Sequence, residues 1–386
     1  MSAPVVTPSA ALSNVRGSAI RDLLSLTERP DVLSMAGGLP ATELIPQERI
    51  ALAAQRAVGD RNLLQYTVSA GLRECRDAIA RHEGIDDPEQ VLITHGSQQA
   101  LFLLAHALVD PGDLVVVDDP VYVGALQVFQ SVRADVRGLP LTDRGIDTDL
   151  LEQWCEAGAR PVIVHTVSSF HNPGGVTADD GRRAHLARLA ERYGFWIIDD
   201  NPYGQLRFRG TEPTPWRHFG DRIISLGTVS KILAPALRVG WCVAPTAVIA
   251  LVERLRQGAD LCGSTFTQAM VADLLTDRDW LDGHVESVRD AYRSRATALV
   301  DALTTHLGSA AEFTAPEGGM FCWVRLPGVD TTALLGEAVE HGVAYVPGSA
   351  FAVSRDAGDC LRLSFATLAP ADIDRAVTRL AAASGV

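Results

Sequence analysis

Ser225-Leu226-Gly227-Thr228-Val229-Ser230-Lys231-Ile232-Leu233-Ala234-Pro235-Ala236-Leu237-Arg238-Val239-Gly240 contains the single lysine of a 386-residue chain, whose other 33 of 34 basic residues are arginine. Arginine serves wherever a positive charge suffices, but it does not deprotonate and cannot act as an amine. A lysine can become a nucleophile or a Schiff-base partner once its surroundings lower its pKa. Lys231 sits in an apolar, hydroxyl-bearing run and not on a charged helix face. An arginine-rich composition accounts for the scarcity of lysine but not for that setting.

Upstream of this stretch the texture is that of a layered sheet. Short apolar runs at Val91–Thr94, Leu114–Val117, Ala134–Leu139, Pro161–His165, Phe195–Asp199 and Arg222–Leu226 alternate with amphipathic segments at about 98–109, 122–130, 147–157 and 179–193. Leu237–Val243 reads as the last strand. Buried strands alternating with helices predict an α/β fold: a large domain with a mainly parallel sheet flanked by helices. Downstream the pattern turns helical over about 246–257, 265–280 and 283–307. A smaller α+β domain follows, with strands at Met320–Val324 and Cys360–Phe365 and helices at about 331–341 and 370–383. Ser13 or Asn14 caps an expected helix to Thr27. The expected organisation is an N-terminal segment over 1–45 that packs with the small domain and the substrate entrance, a large domain over 46–284, and a small domain over 285–386.

Composition narrows the function classes. The net charge is −13, which opposes nonspecific binding to nucleic acid or anionic membranes. The six cysteines are scattered without a CxxC pair, so neither a zinc site nor a disulfide framework is expected. No basic-then-apolar leader and no membrane-length apolar run is present, and a cytoplasmic protein is expected.

In open parallel sheets, ligands bind beyond the carboxyl ends of the strands, and the chemistry-bearing residues fall at such ends. Gly96-Ser97-Gln98 lies between a strand and a helix N-terminus, where free N–H groups favour a phosphate or simply start a helix. Thr228, Ser230 and Arg238 suit a phosphate dianion. Asp200 closes a strand where a carboxylate can meet a cationic ring nitrogen, although Asp-Asn-Pro is also ordinary turn chemistry. Asn172-Pro173-Gly174-Gly175 carries the same ambiguity.

Taken together and in order, these pieces resemble the fold-type-I pyridoxal-phosphate (PLP) enzymes, in particular class I/II aminotransferases of the α-aminoadipate/kynurenine aminotransferase-like branch. The matching segments run from about residue 16 to the end: Ile20–Leu24, Ala36–Pro40, Leu64-Gln65-Tyr66, Gly96–Gln99, Asp119-Pro120-x-Tyr122, Asn172-Pro173-x-Gly175, Asp200-x-x-Tyr203, Ser230-Lys231-x-Leu233-Ala234-Pro235 and Arg362-Leu363-x-Phe365. The resemblance implies that Lys231 holds PLP as a Schiff base and then serves as the acid/base. It implies that Asp200 pairs with the pyridine nitrogen and that Asn172 and Tyr203 hydrogen-bond the phenolic oxygen. Tyr122 stacks on the ring, and Ser97, Gln98, Thr228, Ser230 and Arg238 hold the phosphate. Tyr66 reaches the neighbouring subunit's phosphate, which makes the active unit a homodimer. Arg362 clamps the substrate α-carboxylate, with Asn172 beside it, Gly38 allows close backbone approach, and Arg21 either selects the side chain or is a solvated helix arginine.

The sequence departs from the family pattern in three places. Ser168 stands where proline is frequent, Gly174 stands where threonine is frequent, and His171 precedes Asn172 in a position expected either to line the pocket or to serve only as a loop hydrogen-bond donor, the more frequent case for a lone histidine. The expected activity is a ping-pong transfer of an amino group from an L-amino acid to a 2-oxo acid, in a biosynthetic role. A PLP-dependent oxidase, lyase or decarboxylase is the alternative. A DNA-binding regulator is disfavoured, because the aminotransferase pattern begins within the first twenty residues.

Overall fold

The computed structural model describes residues 31–385 together with Thr7, Ser9, Ala11, Leu12, Val15, Gly17 and Arg29. The expected helix from Ser13 or Asn14 to Thr27, and Arg21 with it, lies outside the described residues.

The chain starts with a two-residue strand, β1 (Leu33–Ser34), and the helix Gln47–Gly59. After the helix Arg73–Glu83 comes the large sheet: β2 (Val91–Thr94), β3 (Leu114–Asp119), β4 (Asp135–Thr142), β5 (Gly145–Ile146), β6 (Pro161–Thr166), β7 (Trp196–Asp200), β8 (Ile223–Thr228) and β9 (Gly240–Val243). Their order is β2-β9-β8-β7-β6-β3-β4-β5. The core β8-β7-β6-β3-β4 is parallel; β9 runs antiparallel to both β2 and β8, and β5 is a hairpin partner of β4. The central strands are buried nearly throughout because helices cover both faces: Ser97–Leu108 and Val123–Ser131 carry one apolar cluster with β3 and β8, Asp180–Tyr193 another with β6 and β7.

Two expectations about elements are corrected. The last strand starts at Gly240 and not at Leu237, because Pro235–Leu237 forms a single helical turn and Arg238 adopts the left-handed conformation at φ 49°. The helical region after 265 divides at Thr276/Arg278, where Asp277 caps the new helix by accepting from Trp280 N–H.

The C-terminal part hangs on that unbroken helix, Arg278–His306. Its sheet has the order β10-β11-β14-β13, built from β10 (Glu312–Phe313), β11 (Phe321–Arg325), β13 (Val346–Pro347) and β14 (Cys360–Ser364), with the helices Thr331–Glu340 and Pro370–Ser384 packed on it. β12 (Val343–Ala344) pairs in parallel with β1, so the N-terminal segment returns to this part of the molecule.

Candidate active site

A cavity of about 490 Å³ opens at the carboxyl ends of β7 and β8. It is lined by Gly38, Ser97, Gln98, Tyr122, Asn172, Asp200, Tyr203, Thr228, Ser230, Lys231, Arg238 and Arg362. Every described site residue expected from the sequence is there except Tyr66, which is 77% exposed on a loop; Arg21 lies outside the described residues.

Lys231 ends the single turn that follows β8, and its Nζ donates to the Gly38 carbonyl at 2.9 Å. Burial, assisted by the Arg362 and Arg238 charges and opposed by Asp200, lowers its amine to about 8. The neutral form that nucleophilic chemistry needs is therefore accessible near neutral pH.

Asp200 is the last residue of β7 and is 4% exposed. Its Oδ1 has no hydrogen-bond partner, and its Oδ2 lies 3.6 Å from His165 Nε2 on β6. The neighbouring Asp199 points to the opposite sheet face, where Ser168 Oγ donates to it and in turn accepts from Trp216 Nε1 at 3.0 Å. Burial raises Asp199 to about 6, with Arg183 and Ser168 opposing. Ser168 thus steadies this second buried carboxylate.

A corner lined by hydroxyls and a guanidinium forms where β9 passes the start of the helix Ser97–Leu108. Gly96 has φ 75°, and a Cβ there would lie 2.7 Å from Arg238 Nη2, so only glycine fits. The left-handed backbone of Arg238 turns its guanidinium back across Gly96, donating to the His95 carbonyl at 2.8 Å. Ser230 N–H donates to Thr228 Oγ1 at 3.2 Å, and the two hydroxyls are 2.9 Å apart. Tyr122 OH donates to Gln98 Oε1 at 3.0 Å, and burial pushes its phenol up to about 12.

Arg362, on β14, enters from the other side. Its Nη1 donates to Asn172 Oδ1 at 2.7 Å and its Nη2 to the Ala36 carbonyl at 2.6 Å. Asn172 Nδ2 in turn reaches Tyr203 OH at 3.5 Å. Among the described residues no carboxylate pairs with this guanidinium, and desolvation lowers it to about 10. Phe321 lies under it at 4.2 Å, a contact that no sequence signal marked beyond Phe321 belonging to an alternating strand.

The expectation that His171 lines the pocket is corrected. It is fully buried and turned inward: Nδ1 accepts from Gly174 N–H at 3.0 Å and Nε2 lies 3.1 Å from Asp118 Oδ2. It pins the loop that presents Asn172.

This geometry suits a phosphorylated ligand with a cationic ring beside one reactive amine. The partnerless buried Asp200 oxygen fits a protonated ring nitrogen, and the Gly96–Arg238 corner fits a phosphate, so the residues present match PLP. The family model for aminotransferase class I and II matches residues 30–380. The chain is 40% identical over 381 residues to the aromatic-amino-acid aminotransferase 1 of Thermococcus litoralis, covering 95% of this chain and 91% of that protein. It is 38% identical over 376 residues to the 2-aminoadipate transaminase of Thermus thermophilus, at 95% and 93% coverage. The crystal structure of the Pyrococcus horikoshii kynurenine aminotransferase in complex with PMP superposes with a TM-score of 0.92 at 36% identity, over 98% of this chain and 96% of that one. The chain belongs to the class I and II aminotransferases, and its cofactor is pyridoxal 5′-phosphate. It is a transaminase acting on an amino acid and a 2-oxo acid. No described helix is long and apolar enough to cross a membrane.

Proposed function

We propose that the enzyme takes aromatic L-amino acids and L-2-aminoadipate as donors, as a cytoplasmic homodimer with a biosynthetic role. The names of the relatives at 40% and 38% identity support the donor class, and six free thiols suit a reducing compartment. The observation that carries the amino-acid reading is Arg362, a buried guanidinium without a carboxylate partner in the cavity that holds Lys231. A buried cation of this kind is costly unless an anion completes it, and an α-carboxylate seated there puts the α-carbon near the amine.

When bound, PLP supplies the electron sink that lets the Cα–H bond break heterolytically. The rest belongs to the chain. Arg362 and Asn172 orient the substrate, and Tyr122 covers one face of the site. Ser97, Gln98, Thr228, Ser230 and Arg238 would hold the phosphate, and Tyr203 and Asn172 would hydrogen-bond the phenolic oxygen. Lys231 Nζ, next to the Gly38 carbonyl, takes the proton from Cα and returns it one position away. We retain the division into 1–45, 46–284 and 285–386 as our reading of the domains, and Arg21 as a candidate selector for an acidic side chain.

A panel of L-phenylalanine, L-tyrosine, L-kynurenine, L-2-aminoadipate and L-alanine against 2-oxoglutarate tests the reading. Aromatic and aminoadipate donors are expected to convert the absorbance of the bound cofactor to the pyridoxamine form and to give parallel double-reciprocal lines. Failure of all five donors, or intersecting lines, overturns it.

The dimer reading rests on Tyr66, which stands beside the exposed apolar residues Leu64 and Val68, a patch suited to burial against a second copy. Sedimentation is expected to give twice the chain mass. Tyr66→Phe is expected to weaken PLP retention by about tenfold to a hundredfold, the loss of one hydrogen bond to a charged group. A monomer at working concentration, or unchanged retention, contradicts it.

A further inference from the structure

Asp119 belongs to the Asp-Pro-x-Tyr segment, yet nothing in the chemistry above uses it. It ends β3, is 3% exposed, and has no cation partner among the described residues. Its carboxylate is taken up instead by three successive backbone N–H groups from the loop after Phe351. Val353 N–H donates to Oδ1 at 3.1 Å, and Ser354 and Arg355 N–H donate to Oδ2 at 2.8 and 2.9 Å. Such a run of backbone donors is a pocket for an anion, and each bond is charge-assisted. Two residues on, Val121 N–H donates to the Phe351 carbonyl at 2.8 Å. Space is reserved for the arrangement: on β4, a Cβ at Gly138 would lie 2.8 Å from Asp119 Cβ.

Phe351 is the link to function. It is fully buried, stands edge-on to Trp323 at 5.7 Å, and has Arg362 Cζ 5.1 Å from its ring centroid. It clusters with Ala36, whose carbonyl accepts from Arg362 Nη2, and with Val123, the residue after Tyr122. Four hydrogen bonds therefore stitch the end of β3 in the large sheet to the loop that sets one wall around the guanidinium, some 230 residues later in the chain.

We propose that Asp119 is a positioning residue for substrate recognition: through the 353–355 amides and Phe351 it holds Arg362 in the orientation that accepts the substrate α-carboxylate. The same four bonds fasten the C-terminal unit against the segment bearing Tyr122, so the carboxylate site and the ring site keep their spacing. The proposal rests on the reading of Arg362 as the carboxylate clamp.

The test uses the PLP-loaded enzyme, L-phenylalanine as donor, and 3-phenylpropionate as an inhibitor that presents the carboxylate without the amine. Asp119→Asn keeps the shape and loses the acceptor pair at Oδ2. Ser354→Pro, on an exposed residue, removes one donor and leaves Asp119 intact. Both are expected to raise KM for the donor and Ki for 3-phenylpropionate about tenfold, with kcat within about twofold and the cofactor absorbance unchanged. Amide exchange at 353–355 is expected to speed up in Asp119→Asn by a similar factor. Arg362→Lys is the reference. If it leaves KM and Ki unchanged, the clamp reading fails whatever the other variants do. If it raises them while Asp119→Asn and Ser354→Pro lower only the melting temperature, Asp119 is merely structural and the proposal is overturned.

Discussion

Lys231→Arg is expected to abolish transamination by at least about 10⁴-fold, the upper end of what a lost general acid/base removes, while the protein stays folded. Arginine keeps the positive charge and removes the amine. Borohydride is expected to fix PLP covalently to the wild-type chain and to leave none on the variant, since the sequence has no second lysine. A reducible adduct on Lys231→Arg overturns the assignment. A pH measurement on the wild type isolates the tuning of the same amine. Burial and the two neighbouring guanidiniums favour its neutral form, lowering it to about 8. Attachment of PLP to cofactor-free protein requires that neutral form, so its rate is expected to rise about tenfold per pH unit up to pH 8 and level off above it. An ordinary lysine, near 10.5, would keep gaining well past pH 9; a rate still climbing there shows that the cavity does not tune the amine.

What the chain revealed before folding followed from how local each signal is. Lys231 stood out because it is alone in its chemical type, and the β6, β7 and β8 runs stood out because strands buried on both faces are continuously apolar. The two arginines that line the cavity were different. Nothing in period or composition separates Arg238 and Arg362 from 31 others; only the ordered resemblance selected them. The extended reading of Leu237–Val243 failed because its alternation of apolar residues is interrupted by the left-handed turn at Arg238, a conformation with no sequence mark on a non-glycine residue. That same turn is what aims the guanidinium at Gly96. Of the two expectations for His171, pocket lining was wrong for a related reason, and a contact within the loop is what the structure has. Adjacency to Asn172 suggested a shared direction, but the turn points the ring inward, to Gly174 and Asp118. Phe351 was silent and Asp119 was marked only as part of the Asp-Pro-x-Tyr segment, because their joint significance lies in hydrogen bonds between segments more than two hundred residues apart. Strands of two residues, such as β1 and β12, are too short for any period to declare them, and only their mutual pairing gives them meaning.

Asp200→Asn is expected to separate two properties that the lysine substitution removes together. The β7 pleat sends Asp199 and Asp200 to opposite faces of the sheet. Asp199 is claimed by Ser168 and by the field of Arg183, whereas the Oδ1 of Asp200 is buried without a partner. An unpartnered buried carboxylate opposes folding, and its neighbour His165, 3.6 Å from Oδ2, leaves the cavity-facing oxygen unsatisfied. The ring nitrogen of bound PLP would complete it, and in return the carboxylate would keep that nitrogen protonated. Asparagine preserves shape and burial but cannot hold the charge. The variant is therefore expected to retain PLP on Lys231, reducible by borohydride, while kcat/KM falls by about 10²- to 10³-fold, the scale of losing one preorganised electrostatic group. The cofactor-free variant is expected to melt at a higher temperature than cofactor-free wild type, because a buried carboxylate with one oxygen left unpaired is gone. Activity and cofactor-free stability thus move in opposite directions. A variant active to within tenfold of wild type shows that Asp200 is not the counter-charge of the ring. A variant less stable without cofactor shows that its carboxylate supports the fold itself.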